Sequence, residues 1–243
     1  MLTVSPRAVL LDVDGTLYYQ DPLRCLMALE LGTLPAVLRS WQSTVSVLNT
    51  LRHFRSIREG LREGVKSEDS LLELQYLKTA ERVGVPPSEV ECVVREWIYQ
   101  RPLKYLRFCK RRGLEAFMSY AEREGLHIGV FSDYPVQEKL QALGFGNRVK
   151  LTLCATDREI NAFKPHPRGF LRACEYWGLR PEEVLYVGDR PEIDAEGAAA
   201  AGMPCAILSG LGGNQGKLGR LNNYIRVTSF RELQHVLTTN KKT

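Results

Sequence analysis

Ala8-Val9-Leu10-Leu11-Asp12-Val13-Asp14-Gly15-Thr16-Leu17 is the stretch on which the fold turns. Its four leading apolar residues predict a strand buried on both faces, the pattern of a parallel sheet. The run then breaks into two carboxylates two positions apart, followed at once by glycine and threonine. Open α/β sheets gather ligands at the carboxyl ends of their strands, so Asp-x-Asp at that place is a candidate site. An Asp at a strand end is also a common turn former or helix cap. The rest of the chain separates the two readings.

From Tyr18 to Lys110 the pattern is helical. Pro35 starts one long helix that reaches about Glu59, where Gly60 and Gly64 break it. Ser67 caps a second, which carries Leu71, Leu74 and Leu77 and ends at Gly84 and Pro86-Pro87. Ser88 and Glu91 form a capping box for a third, with Val90, Val93, Val94 and Trp97 as its apolar face. From Gly113 onward helices alternate with strands at about 126–131, 149–154, 183–187 and 204–208, which predicts βαβ units. The expected architecture is α/β: a doubly wound parallel sheet, Rossmann-like, built from residues 1–17 plus 111–243. Residues 18–110 form an inserted all-helical domain, of a size suited to a small domain. Ser229 with Glu232 caps a last helix ending near Leu237, and Asn240 to Thr243 frays.

The 243 residues suffice for such a core and insertion, and 44% apolar with 25% charged residues is an ordinary globular mix. A net charge of +5, from 33 basic and 28 acidic residues, is too small and dispersed for nucleic acid but suits small anionic substrates. The six cysteines are scattered, without a C-x-x-C pair or zinc spacing, and read as free thiols. Met1 to Arg7 lack the features of a signal peptide and no apolar run reaches membrane length, so a soluble, cytoplasmic protein is expected, with no membrane partner. Gly210 to Gly219 suggests a phosphate loop but fails: Leu211 and Leu218 stand where a glycine and a hydroxyl are required, leaving a surface loop.

Three predicted strands end in polar residues that can converge: Asp12 and Asp14, Ser132 and Asp133, and Gly188-Asp189 followed by Asp194. Lys164 lies in Phe163-Lys164-Pro165-His166-Pro167, a turn stiffened by two prolines. Clustered acids need a cation, and oxygen ligands suit Mg²⁺. A lysine and a hydroxyl beside that metal make a place for a phosphate dianion.

Taken in order, Asp-Val-Asp-Gly-Thr-Leu, Ser132, Lys164 and Gly-Asp-x-x-x-x-Asp resemble the four motifs of the haloacid dehalogenase-like superfamily. The helical insertion resembles its type-one cap. The resemblance implies that Asp12 is a nucleophile forming an aspartyl phosphate and that Asp14 is the acid/base, its carbonyl also reaching the metal. It implies that Ser132, the Asp133 amide and Lys164 hold the phosphoryl group, and that Asp189 and Asp194 bind Mg²⁺. Asp14 disfavours halide displacement, which needs neither an acid nor a metal. The reading implied is a Mg²⁺-dependent phosphatase of a small phosphorylated metabolite. A phosphomutase acting on a sugar phosphate and a non-catalytic phosphate-ligand-binding protein stand as alternatives.

Some assignments have structural rivals. Ser132 and Asp194 also fit helix caps, and the Asp133 side chain fits a structural part. His166 reads as a turn residue at the pocket rim, and His127 as a packed core histidine. Arg52, Arg55, Arg58 and Arg62 recur at helical spacing along one face. That face is either solvated or reaches the cleft to bind an anionic part of the substrate.

Overall fold

The computed structural model describes residues 5–38, 41–62, 69–209 and 224–240. β1 (Ala8–Leu11) is wholly buried. It is followed by α1 (Gln20–Leu38), α2 (Trp41–Arg62), α3 (Leu71–Val83), α4 (Pro87–Val94), a π-helical turn over Arg95–Gln100, and α5 (Leu103–Cys109). The chain then alternates through α6 (Leu114–Arg123), β2 (His127–Ser132), α7 (Gln137–Leu143), β3 (Leu151–Cys154), α8 (Arg168–Trp177) and β4 (Val184–Gly188). A π-helical turn over Pro191–Ala195 leads into α9 (Glu196–Ala200), and β5 (Cys205–Leu208), β6 (Tyr224–Val227) and α10 (Phe230–Asn240) complete it.

The strands form one parallel sheet in the order β3-β2-β1-β4-β5-β6, with β1 between β2 and β4. Side chains of β1 alternate between two cores, Val9 and Leu11 entering one and Ala8 and Leu10 the other. β4 repeats this with Leu185 and Val187 against Val184 and Tyr186. Phe117, Leu140 and Phe230, from α6, α7 and α10, cover the first face. Phe170 and Ala173 from α8 and Ala198 from α9 cover the second. The doubly wound parallel α/β sheet expected from the sequence is the one observed.

The helical segment between β1 and β2 builds small clusters of its own around Phe54, Val90 and Val94, and around Leu51 and Trp97. Its two ends lie side by side. The Tyr19 N–H donates to the Cys109 carbonyl at 2.9 Å, and the Arg111 N–H donates to the Leu17 carbonyl at 2.9 Å.

Several local expectations change. Pro35 lies inside α1 instead of starting a helix. α2 continues through Gly60 to Arg62, because a mid-helix glycine costs only about 1 kcal/mol and buried Phe54, Arg58 and Leu61 hold its inward face. α4 begins with Pro87 at its first turn, where proline's missing N–H is harmless, so Ser88 is already helical and no capping box with Glu91 forms. His127 is exposed at the entry of β2, its ring stacked on Trp177, instead of packed in the core. β6 had no counterpart in the sequence reading. At the last helix the Glu232 N–H donates to Ser229 Oγ at 3.2 Å, and the helix runs past Leu237 to Asn240. Gly64, Ser67, the Gly210–Gly219 stretch and residues 241–243 lie outside the described residues.

Candidate active site

Strand register brings the candidate residues together. Leu11 pairs with Val130 on one side and Val187 on the other, so the residues just beyond each strand end emerge at one level. The Asp12 N–H still donates to the Val187 carbonyl, at 2.8 Å. Asp12, Asp14, Ser132, Asp133, Lys164, Asp189 and Asp194 all line one cavity of about 750 Å³.

Asp12 lies at the floor. Its Oδ1 accepts from Lys164 Nζ at 2.7 Å and its Oδ2 from Thr16 Oγ at 3.0 Å. Burial, partly offset by Lys164 and reinforced by Asp194 and Asp14, pushes its carboxyl up to about 7. Lys164, itself buried before a cis Pro165, also donates to Asp194 Oδ1 at 2.8 Å and to the Tyr186 hydroxyl at 3.0 Å. Burial opposes the Lys164 charge, but Asp12 and Asp194 prevail and hold it protonated. Asp194 Oδ2 accepts the backbone N–H groups of Asp189 and Arg190, at 3.1 and 3.0 Å. It thus organises the loop before it and does not cap the helix that follows.

Asp12, Asp189 and Asp194 can each offer a carboxylate oxygen within 4.8 Å of the others. Asp189 Oδ1 is buried without a protein partner. Burial, then Asp12 and Asp194, push the Asp189 carboxyl up to about 8. An orphaned acceptor among crowded carboxylates is relieved by a cation, and an all-oxygen donor set fits a hard divalent one. The Asp14 carboxylate points elsewhere, and its carbonyl accepts from Gln20 Nε2 at 2.6 Å. Gly15 is required beside this cluster: its φ is +100°, and a Cβ there would fall 2.0 Å from Asp189 Oδ2.

Asp14 is held by side chains that the motif reading missed. Its Oδ1 accepts from Lys139 Nζ at 2.5 Å and from the Tyr18 hydroxyl, and its Oδ2 accepts from Ser132 Oγ at 3.1 Å. Burial would raise the Asp14 carboxyl, but Lys139 and these donors hold it below the ordinary range. Lys139 sits on α7, seven residues after Ser132, so only the turn of the chain after β2 brings it to Asp14. Nothing in the sequence marks it out: it is a helical lysine next to Leu140 whose burial only the structure shows. Arg111 was missed too: its Nη2 donates to the Gly15 carbonyl at 2.6 Å and pins the turn.

The arginine series divides. Arg58 is buried and donates to Gln75 Oε1 at 3.0 Å and to the Asp133 carbonyl at 2.8 Å, with its guanidinium over the Tyr134 and Phe163 rings. Arg62 donates to Asp133 Oδ2 at 2.6 Å and to the Lys164 carbonyl at 2.7 Å. Arg62 lines the cleft but binds protein, Arg58 is buried and does not line it, and Arg52 and Arg55 are exposed on its wall. The Asp133 carboxylate also accepts the Lys164 N–H at 3.2 Å. His166 is exposed, accepts the Arg168 N–H, and does not line the main cavity.

Comparison with known proteins places the chain in a family. A phosphoserine phosphatase of Thermus thermophilus is 34% identical over 90 residues, 37% of this chain and 36% of that protein. A glyceraldehyde 3-phosphate phosphatase of Methanopyrus kandleri is 28% identical over 200 residues, 81% of each. In fold, the chain resembles a 2-haloacid dehalogenase of Pseudomonas syringae, with a TM-score of 0.63 at 20% identity, covering 96% of this chain and 99% of that one. It also resembles a phosphatase of Thermococcus onnurineus, with a TM-score of 0.62 at 22% identity over 95% and 97%. The family model for haloacid dehalogenase-like hydrolases matches residues 6–202, from just before β1 to the turn after α9. With a match across most of its length, the chain belongs to the haloacid dehalogenase-like hydrolases.

Proposed function

We propose that the protein is a Mg²⁺-dependent phosphatase that hydrolyses a small phosphate monoester through an aspartyl phosphate on Asp12. The observation that carries this reading is the joint placement of Asp12 against Lys164 and of Asp14 against Lys139 at one cavity floor. A nucleophile and a separate proton carrier are what phosphoryl transfer to water requires, and halide displacement would leave the second without work. Two curated relatives are themselves named as phosphatases. Residues 18–110, joined to the core by adjacent chain crossings, act in this reading as a cap over the site.

Asp12, Asp189 and Asp194 would hold the metal, which when bound neutralises charge on the carboxylates and the phosphoryl oxygens. An Asp12 carboxylate oxygen attacks phosphorus as the bond to the leaving oxygen breaks. Lys164 stabilises charge on nucleophile and phosphoryl group, and Ser132 with the Asp133 amide orients the phosphoryl oxygens. The leaving oxygen takes its proton from the protonated Asp14 carboxyl, held in place by Lys139 and Ser132, which leaves Asp14 as the carboxylate paired with Lys139. In the second half, Asp14 accepts a proton from water as that water attacks phosphorus. The Asp12–phosphate bond breaks and inorganic phosphate leaves.

Phosphate release from a panel of phosphorylated metabolites, with Mg²⁺ and with chelator, tests the reading. Asp12→Asn is expected to lower kcat by about a thousandfold or more. Retained activity in that variant would remove Asp12 as nucleophile.

A further inference from the structure

Above its charged floor the same cavity is walled by Leu23, Met27, Leu31, Leu51, Trp97 and Ile98, from α1, α2 and the π-helical turn. Much of the polar lining on that side is already occupied by protein partners. Gln20 is bound to the Asp14 carbonyl and to Arg24, and Glu59 is paired with Arg62 and Arg190. α2 is held against both phosphate-side loops by Arg58 and Arg62, so the chamber belongs to a closed arrangement of the helices over the sheet. Its volume of about 750 Å³ is that of a site for a ligand much larger than a phosphate. A short polar hydroxy acid on the floor would leave the accessible Met27, Leu31, Leu48 and Ile98 against water and would gain nothing from them.

We infer that the substrate is a phosphate monoester whose alcohol carries an extended apolar or aromatic body, seated against the accessible Met27, Leu31 and Leu48 of the cavity wall while its phosphate rests beside Asp12 and Lys164. This deepens the phosphatase reading and rests on it. The exposed cations Arg52 and Arg55 on the wall favour entry of an anionic ester.

A homologous series of n-alkyl phosphates from ethyl to hexyl, assayed with Mg²⁺ below micellar concentrations, provides the test. We expect kcat/KM to rise about threefold per added methylene, and Met27→Asp to flatten that rise. A flat or falling series, in an enzyme that still hydrolyses acetyl phosphate, overturns the inference and leaves the phosphatase reading standing. Titration calorimetry of the wild type with non-hydrolysable alkylphosphonates separates the reverse case. Hexylphosphonate is expected to bind at least about tenfold tighter than methylphosphonate, with a negative heat-capacity change. Equal affinities overturn the inference. Tighter binding of hexylphosphonate without hydrolysis of any ester supports the apolar seat and overturns the phosphatase reading.

Discussion

Asp14 and Asp12 are chemically identical and two residues apart, yet the protein gives them opposite environments. Asp12 is raised by burial among acids, whereas Asp14 is lowered because Lys139, Tyr18 and Ser132 outweigh its burial. Environments that separate two carboxylates in this way mark distinct roles. If Lys139 positions Asp14 for proton delivery, Lys139→Met is expected to slow an alkyl phosphate by about a hundredfold. A p-nitrophenyl ester, whose leaving group needs no proton, should change only a few-fold; equal losses on both esters would assign Lys139 a purely structural part. Gly15→Ala is a second case. The new methyl group would collide with Asp189, so with the proposed Mg²⁺ site the variant is expected to fold but to show a smaller rise in Tm on adding Mg²⁺ than the wild type, measured by differential scanning fluorimetry.

At the scale of the element, α2 shows what helical spacing conveys and what it withholds. The recurrence of arginine at Arg52, Arg55, Arg58 and Arg62 correctly places them along one side of a helix. It cannot say what that side meets. Arg58 and Arg62 meet a backbone carbonyl and a carboxylate contributed by residues some seventy positions away, and nothing local encodes that. Arg58→Ala should therefore act chiefly on stability. It leaves the Asp133 carbonyl unpaired and vacates a slot between two rings, for an expected loss of about 3 kcal/mol. Chemical denaturation would measure it, and a midpoint within error of wild type would refute it. The same limit explains α2's passage through Gly60, where the long-range packing of Arg58 and Leu61 outweighs a weak local break. It also explains β6, whose short mixed Tyr-Ile-Arg-Val pattern is stabilised by pairing with β5.

Five of the six strands were legible because they are short, apolar and separated by punctuated helices, and because four are buried strongly enough to need little context. The acids at their ends were legible for the same reason, since each follows directly from a strand whose end is unmistakable. Lys139, Arg111 and Tyr186 were not, because they reach the site from mid-element positions or, for Arg111, from the connection between α5 and α6, where direction is set by packing. One consequence concerns the molecule as a unit. Asp12 and Asp189 rise from an ordinary 3.8 to about 7 and about 8 when folded without metal, so protons favour the folded state. That contribution is fully present below the unfolded value and is lost as pH rises through the folded ones. At the proposed site Mg²⁺ would replace the protons, so its effect on Tm is expected to be larger at pH 8 than at pH 5.5, and a shift independent of pH would contradict the assignment.

The adjacent crossings at Leu17–Tyr19 and Cys109–Arg111 bear on how such a molecule can change. Because the helical segment leaves and rejoins the sheet at neighbouring points, the entropic cost of closing it grows only slowly with its length. β1 and β2 keep their register whatever number of residues lies between those points. Changes in those helices that keep the Arg58 and Arg62 contacts can thus alter what enters the cavity while β1 and β2 stay in register.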